Sequence, residues 1–289
     1  MALVADPVFV LGPRKKDALA TRADALVTLR GILDEEKGKP TVRSGGLSVV
    51  ASQGGLSAWA VDTIDVAGES MAVTVVLSNA DDFWVVTAAA LAVTPSMKSV
   101  RAELKKDAVV PPAMEAAGNV PDEAGEAAER FKRGFSDPAV WGEDLGKRSD
   151  AVVIGPSAGD VTRGKVAIGK LFKKRAKVNV RYAQAGDTIA GSTQDGQLVW
   201  VSTPVVRFAD DEDQPMPLRL FGVFEKAGSD WKLISLQESL AVDEPGQGAS
   251  FKKISAPAVK ADEPPPKPKT EKTDEKPKKT KKKKKSSDE

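Results

Sequence analysis

Val153-Ile154-Gly155-Pro156 reads as the end of a short apolar strand broken by Gly-Pro, and 143 residues earlier Val10-Leu11-Gly12-Pro13 reads the same way. Asp160 and Asp17 follow at the same distance in both stretches. Further out, helix-compatible segments Asp24 to Leu33 and Lys165 to Lys173 occupy matching places. Ser57-Ala58-Trp59-Ala60-Val61 then corresponds to Leu198-Val199-Trp200-Val201-Ser202, at an offset of 141. Asp82-Phe83-Trp84-Val85-Val86 corresponds to Ser229-Asp230-Trp231-Lys232-Leu233, at 147. The chain has five tryptophans, so two recurring in order alongside Gly-Pro predict an internal duplication whose loops differ slightly in length.

The chain has 289 residues, 41% hydrophobic and 29% charged, enough for two modest domains with buried cores. It contains neither cysteine nor histidine. Disulfides, Cys/His zinc sites, thiol nucleophiles, imidazole bases and Ser-His-Asp triads are therefore excluded. From Lys260 onward there are 12 Lys against 7 Asp and Glu, a local charge of +5; the remaining residues carry 31 basic and 34 acidic groups, a charge of −3. A mildly acidic body argues against a dedicated nucleic-acid-binding core. The best apolar run, Val85 to Val93, is too short to span a membrane and reads as a strand. The first residues lack a signal-peptide layout, so the expectation is a cytoplasmic protein.

The second half gives the clearest element order. Pro121 to Phe135 places Ala124, Ala127, Ala128, Phe131 and Phe135 on one helical stripe. Asp137 to Leu145 reads as a second helix, with Asp137 as its cap and Pro138 in its first turn. Ala151 to Ile154 is a predicted strand and Arg163 to Lys173 a third helix. Strands are predicted over Lys177 to Ala185, Gln197 to Ala209, Leu218 to Lys226 and Trp231 to Val242. The order helix, helix, strand, helix, then a meander of long antiparallel strands makes an α+β domain with helices on one face of a sheet. The expected layout is a partial first copy over residues 1–96, a connecting helix or linker over 97–118, a complete second copy over 119–245, and a Pro/Lys-rich tail over 246–289. The tail, with Pro264, Pro265, Pro266, Pro268 and Pro277, should be disordered, because it cannot bury enough apolar surface to offset its ordering entropy. It reads as a solubilising segment or, through Lys281 to Lys285, as a contact for nucleic acid or acidic proteins.

The second copy resembles the SnoaL-like branch of the nuclear transport factor two-like superfamily. Asp150-Ala151-Val152-Val153-Ile154-Gly155-Pro156 looks like that family's first strand and exit. Arg163-Gly164-Lys165 through Leu171-Phe172 looks like its following helix, and Asp230-Trp231-Lys232-Leu233-Ile234 through Ser239 like its closing strand. Residues 6–94 match more weakly and lack the two leading helices. The resemblance implies two cone-shaped domains, each a curved, mostly antiparallel sheet with helices on its concave face. Family members include cyclases, isomerases, dehydratases, epoxide hydrolases and non-catalytic binding domains, so the fold alone does not choose a function. Where relatives often carry histidines on the last strand, this chain has Ser235 and Gln237, with Ala88 and Ala90 at the matching places of the first copy. The first copy therefore reads as degenerate.

No catalytic residue stands out. Asp137, Glu143, Asp144, Asp160, Glu225, Asp230 and Glu238 are the acidic candidates, and none forms an alternating pair aimed into one cavity. Glu238 alternates with Ile234 and Leu236 and reads as a solvated strand end. The expected ligand wall is Trp141, Tyr182, Trp200, Arg219, Phe221, Ser235 and Gln237: aromatic surface with a few polar groups. Arg219 suits a carboxylate or phosphate if it faces the cavity, although an exposed arginine fits the alternation equally. Trp200 also reads as core. No cofactor or metal is implied. The leading reading is a non-catalytic binding or interaction module, monomeric or homodimeric, for a small apolar or carboxylate-bearing ligand held in the second cone. The alternatives are a small isomerase, cyclase or hydrolase using carboxylates and water, and a nucleic-acid-associated protein acting through its tail.

Overall fold

The computed structural model describes residues 3–13, 17–34, 42–66, 69–104 and 120–240. The expected tail and most of the connecting stretch lie outside the described residues. The first unit runs β1 (Leu3–Leu11), β2 (Ala18–Leu19), α1 (Arg22–Asp34), β3 (Val42–Ser44), β4 (Ser48–Ala51), β5 (Ser57–Val66), β6 (Glu69–Ala80) and β7 (Phe83–Val93). After α2 (Met97–Leu104), the second has a short 3-10 turn (Asp122–Ala124), then α3 (Gly125–Ser136), α4 (Ala139–Leu145), β8 (Val152–Ile154), β9 (Val161–Arg163) and α5 (Lys165–Lys177). It closes with β10 (Arg181–Gln184), β11 (Ile189–Ser192), β12 (Leu198–Phe208), β13 (Met216–Ala227) and β14 (Asp230–Ser239).

The two sheets have one topology. The first is ordered β2-β1-β7-β6-β5-β3 with β4 also on β5; the second is β10-β12-β13-β14-β8-β9 with β11 also on β12. In each, the opening strand lies parallel to the closing one while the long meander is antiparallel. Registers correspond as well. Trp59 faces Val76 and Trp200 faces Val223; Ala88 and Ala90 pair with Phe9 and Leu11 as Ser235 and Gln237 pair with Val152 and Ile154. A ladder shift follows Val76 in one sheet and Val223 in the other. The Gly-Pro turn is also built alike: Gly12 N–H donates to Asp17 C=O at 2.8 Å, and Gly155 N–H to Asp160 C=O at 2.7 Å. A side chain at either glycine would overlap the aspartate folded over it, because a Cβ at Gly12 lies 2.6 Å from Asp17 Cβ and one at Gly155 lies 1.9 Å from Asp160 Oδ2. Glycine at this turn is thus a steric requirement.

The helices of the second unit cover one face of its sheet. Ala127, Ala128, Phe131 and Phe135 of α3 meet Trp141 of α4, Phe172 of α5 and the strand residues Val199, Val201, Leu220, Phe224, Leu233 and Leu236. Asp137 Oδ1 accepts the Ala139 N–H at 3.0 Å, which starts α4 as its position predicts. Trp141 Nε1 donates to Phe131 C=O at 3.0 Å. Gly134 makes this crossing possible, since a Cβ there would lie 2.0 Å from the Trp141 ring. The connecting α2 buries Val100 in the same core.

The opposite faces of the two sheets pack on each other. Phe9, Leu11, Trp59, Val61, Ala72, Val76, Ala88 and Ala90 interlock with Val152, Ile154, Leu198, Trp200, Phe221, Val223 and Ile234 in one cluster. Phe9 stacks on Trp200 with ring centroids 4.5 Å apart and planes 6° from parallel. In the first unit the face turned away from this contact carries α1, with Val8, Val10, Ala25 and Ala89 in a small core. It lacks counterparts of α3 and α4 among the described residues, and its tryptophan exposure reflects that: Trp84 is 38% exposed, while Trp231, at the same place in the second sheet, is 7% exposed beneath α3.

Three expectations are corrected. The strand predicted from Lys177 begins at Arg181, because α5 runs on to Lys177: its last turn holds Lys174, Arg175 and Lys177, which suit the negative helix end, and Asn179, at φ 48°, turns the chain just beyond it. Strands β9 and β11 were not anticipated, being three and four residues long with little apolar pattern. Ile234 does not share a face with Leu236 and Glu238, because the ladder shift after Val223 turns it toward the first sheet.

Candidate functional site

The residues expected to form one ligand wall lie on two faces of the second sheet. Trp141 and Tyr182 are on the helix side, their rings 5.3 Å apart. Trp200 and Phe221 face the first sheet. Arg219 and Gln237 reach across to the same side, where Arg219 Nη2 donates to Gly12 C=O at 2.5 Å and Gln237 Oε1 accepts from Thr74 Oγ1 at 2.6 Å. Ser235, opposite Val223 in the ladder, belongs there too and is buried. The seven do not line a common cavity, because period-two alternation divides them and the first unit covers the face holding five of them.

Arg219 is fully buried rather than exposed or free in a pocket. Burial pushes its pKa down to about 10, against the pull of Asp17 in the first unit. Among the described residues, Ser235 Oγ and Gln237 Nε2 have no hydrogen-bond partner.

The helix side gathers a group that sequence reasoning missed. Glu238 is buried, not a solvated strand end. Its Oε1 accepts from Tyr182 Oη at 2.6 Å and pairs with Arg175 Nη1 at 2.8 Å; Oε2 lies 3.6 Å from Arg207 Nη1. Arg175 also donates to Tyr182 Oη at 3.2 Å, and Arg207 pairs with Glu212. Burial alone would push the Glu238 carboxyl up, but Arg175 and Arg207, with the tyrosine O–H, hold it below its ordinary range. Burial drives the Tyr182 phenol in the other direction, well above its ordinary pKa. The result is a carboxylate held ionised by two guanidiniums beside a phenol that stays protonated. A partial sequence signal was present, since Tyr182 and Arg207 are polar residues on predicted strands, but Arg175 is one of several basic residues at 173–177, and the convergence needs four separate elements.

A second feature lies where the units meet. A cleft of about 720 Å³ is lined on one side by Val4 to Phe9 of β1 and on the other by Ile189 to Ser192 of β11, with Trp200 between them. Asp6 and Arg22, 3.9 Å apart and about half-exposed, stand on its rim. Of the expected wall, Trp200 reaches this cleft. Among the described residues no helix is long and apolar enough to cross a membrane.

Residues 139–243 match the model of the SnoaL-like domain. No curated protein matches the chain. Similar solved structures include a protein of unknown function with a cystatin-like fold from Nostoc punctiforme PCC 73102, 14% identical over 42% of this chain and 93% of that one, with a TM-score of 0.32. A nuclear transport factor two-like protein of unknown function from Pseudomonas putida KT2440 is 20% identical over 45% and 95%, at 0.33. The epoxide hydrolase/cyclase-like enzyme SalBIII, described for pyran ring formation in polyether salinomycin, is 18% identical over 40% and 88%, at 0.31.

Proposed function

We propose that the SnoaL-like domain of this chain serves as a non-catalytic binding or protein-interaction module, with the first unit as its built-in partner. The observation that carries this reading is the condition of Glu238. A general base must be reached by its substrate, whereas Glu238 is buried, its Oε1 held by Tyr182 and Arg175 and its Oε2 ion-paired with Arg207 at 3.6 Å. The aromatic packing of Phe131, Phe135, Trp141 and Phe172 around the helix side supports the same reading. The common order and register of the two sheets support treating the chain as two copies of one unit, the first without its leading helices. A cytoplasmic location, a small apolar or carboxylate-bearing ligand, and a tail contact through Lys281 to Lys285 are the expectations that go with it.

The test has two arms. The full chain is incubated with a panel of epoxides, β,γ-unsaturated ketones and aryl esters, and product is followed by mass spectrometry; no turnover above that of Glu238→Gln is expected. A thermal-shift screen with small aromatic carboxylates is expected to raise the melting temperature. Turnover that disappears in Glu238→Gln would replace the module with an enzyme.

A further inference from the structure

We infer that the cleft between the units is a peptide site, in which an extended segment of a partner protein adds as a strand to the free edge of β11. The inference rests on the binding-module reading and gives it a place and a chemistry. Among the described residues β11 pairs with β12 alone. Thr193 N–H donates to Leu198 C=O at 2.9 Å, which sets the phase of the ladder. Two and four residues back, Gly191–Trp200 and Ile189–Ser202 are then the hydrogen-bonded pairs. The N–H and C=O groups of Ala190 and Ser192 therefore point away from β12, toward the cleft that all four β11 residues line.

The facing wall is also irregular backbone. β1 leaves its ladder with β7 between Val4 and Phe9, so Ala5 to Val8 bow out along the cleft. The floor continues the established contact between the sheets, because Phe9, Ile189 and Trp200 belong to both. Gly191 lets the edge lie close over this floor, since a Cβ there would sit 2.6 Å from the Trp200 ring. Free strand edges are usually guarded by lysine, proline or a charge pointing inward, and Ile189-Ala190-Gly191-Ser192 carries none of these. Donors and acceptors alternating along a strand match another backbone, and an apolar side chain of that backbone would rest on the aromatic floor. A small molecule would satisfy one or two such groups. The volume suits a segment of about four residues, roughly 13 Å of extended chain.

Phage-displayed random heptapeptides panned on the full chain supply the probe. Selected sequences are synthesised with a fluorophore and titrated by anisotropy. Ala190→Pro removes an N–H that the β12 ladder does not use and is tolerated on an edge strand; Ala190→Ser keeps that N–H. Ala190→Pro, and independently Ser192→Pro, are expected to weaken binding about tenfold, the worth of one lost backbone hydrogen bond, with Ala190→Ser nearly unchanged. N-methylation of alternate peptide residues tests the pairing without altering the protein: one alternation phase should abolish binding and the other spare it. Wild-type affinity in both proline variants, or equal loss in either methylation phase, would overturn the site while leaving the module reading intact. Failure to enrich any peptide, with thermal shifts by aromatic carboxylates that depend on Trp200, would replace the peptide with a small ligand.

Discussion

Thr74 on β6 donates its hydroxyl to Oε1 of Gln237 on β14 at 2.6 Å, joining two sheets through side chains 163 residues apart. Thr74 stands opposite Ala90 in its own sheet, and Gln237 opposite Phe221 in the other. The bond lies in a largely apolar contact, so sliding one sheet over the other would bury both polar groups unpaired. Arg219, reaching Gly12, adds a second point of registration. Apolar surface supplies most of the attraction between the sheets, and polar bonds such as these, with Arg163 donating to Gly46 C=O at 2.6 Å, select one alignment.

Thr74→Val keeps the shape of the side chain but leaves Gln237 Oε1 without its donor. It should lower the stability of the full chain by about 1–3 kcal/mol in urea denaturation. The double variant Thr74→Val/Gln237→Leu should recover much of that loss, because it also removes Gln237 Nε2, which has no partner among the described residues. A single variant as stable as the wild type would show that the bond contributes nothing.

Glu238→Gln leaves Arg175 and Arg207 buried against a neutral side chain and should cost about 3–5 kcal/mol. The pH dependence follows from the direction of the shift. The folded-state pKa of Glu238 lies below its ordinary 4.5, so its stabilisation is present above that value and is lost as pH falls through the folded pKa. The wild type should therefore lose stability more steeply on acidification below pH 4.5 than Glu238→Gln does. Parallel acid limbs in melting curves would contradict this assignment.

Gly155→Ala places a methyl group where Asp160 Oδ2 now sits, at 1.9 Å. The cost should be about 1–3 kcal/mol, as for other overpacked sites. Asp160→Ala in the same chain should reduce it by vacating the space. Calorimetry of the two single variants and the double variant decides the point, and additive losses would mean that the two residues do not collide.

Residues 119–245 expressed alone should form helices and strands yet self-associate. Without the first unit, Val152, Ile154, Trp200, Phe221, Val223 and Ile234 would lie on an open sheet face, a larger apolar patch than soluble monomers commonly expose. Sedimentation velocity should report dimers or larger species at micromolar concentration, whereas the full chain has this face covered. A soluble monomer of the fragment would show that the first unit is dispensable.

Much of the architecture was legible because it depends on local chemistry. The Gly-Pro turns, the recurring tryptophans, the apolar stripe of α3 and the Asp137 cap each specify an element from adjacent residues. The correspondence of Ser235 and Gln237 with Ala88 and Ala90 could also be read in advance and holds in the ladders. The short strands β9 and β11 could not be read, since three or four residues with little apolar pattern acquire strand geometry from the neighbour they pair with.

The site divides along the same line. Along β13, Arg219, Phe221 and Val223 lie on one face and Leu218, Leu220 and Phe224 on the other, the alternation that strand geometry dictates. Sequence could not say which face looks toward helices and which toward another sheet, because both are apolar and both are buried. The single shift after Val223 reversed the reading of Ile234, and the gathering of Arg175, Tyr182 and Arg207 around Glu238 gave a supposed surface carboxylate its partners. Periodicity fixes which residues travel together on an element, since it follows from backbone geometry. What each face meets depends on long-range packing between elements, and that was decided by the tertiary structure.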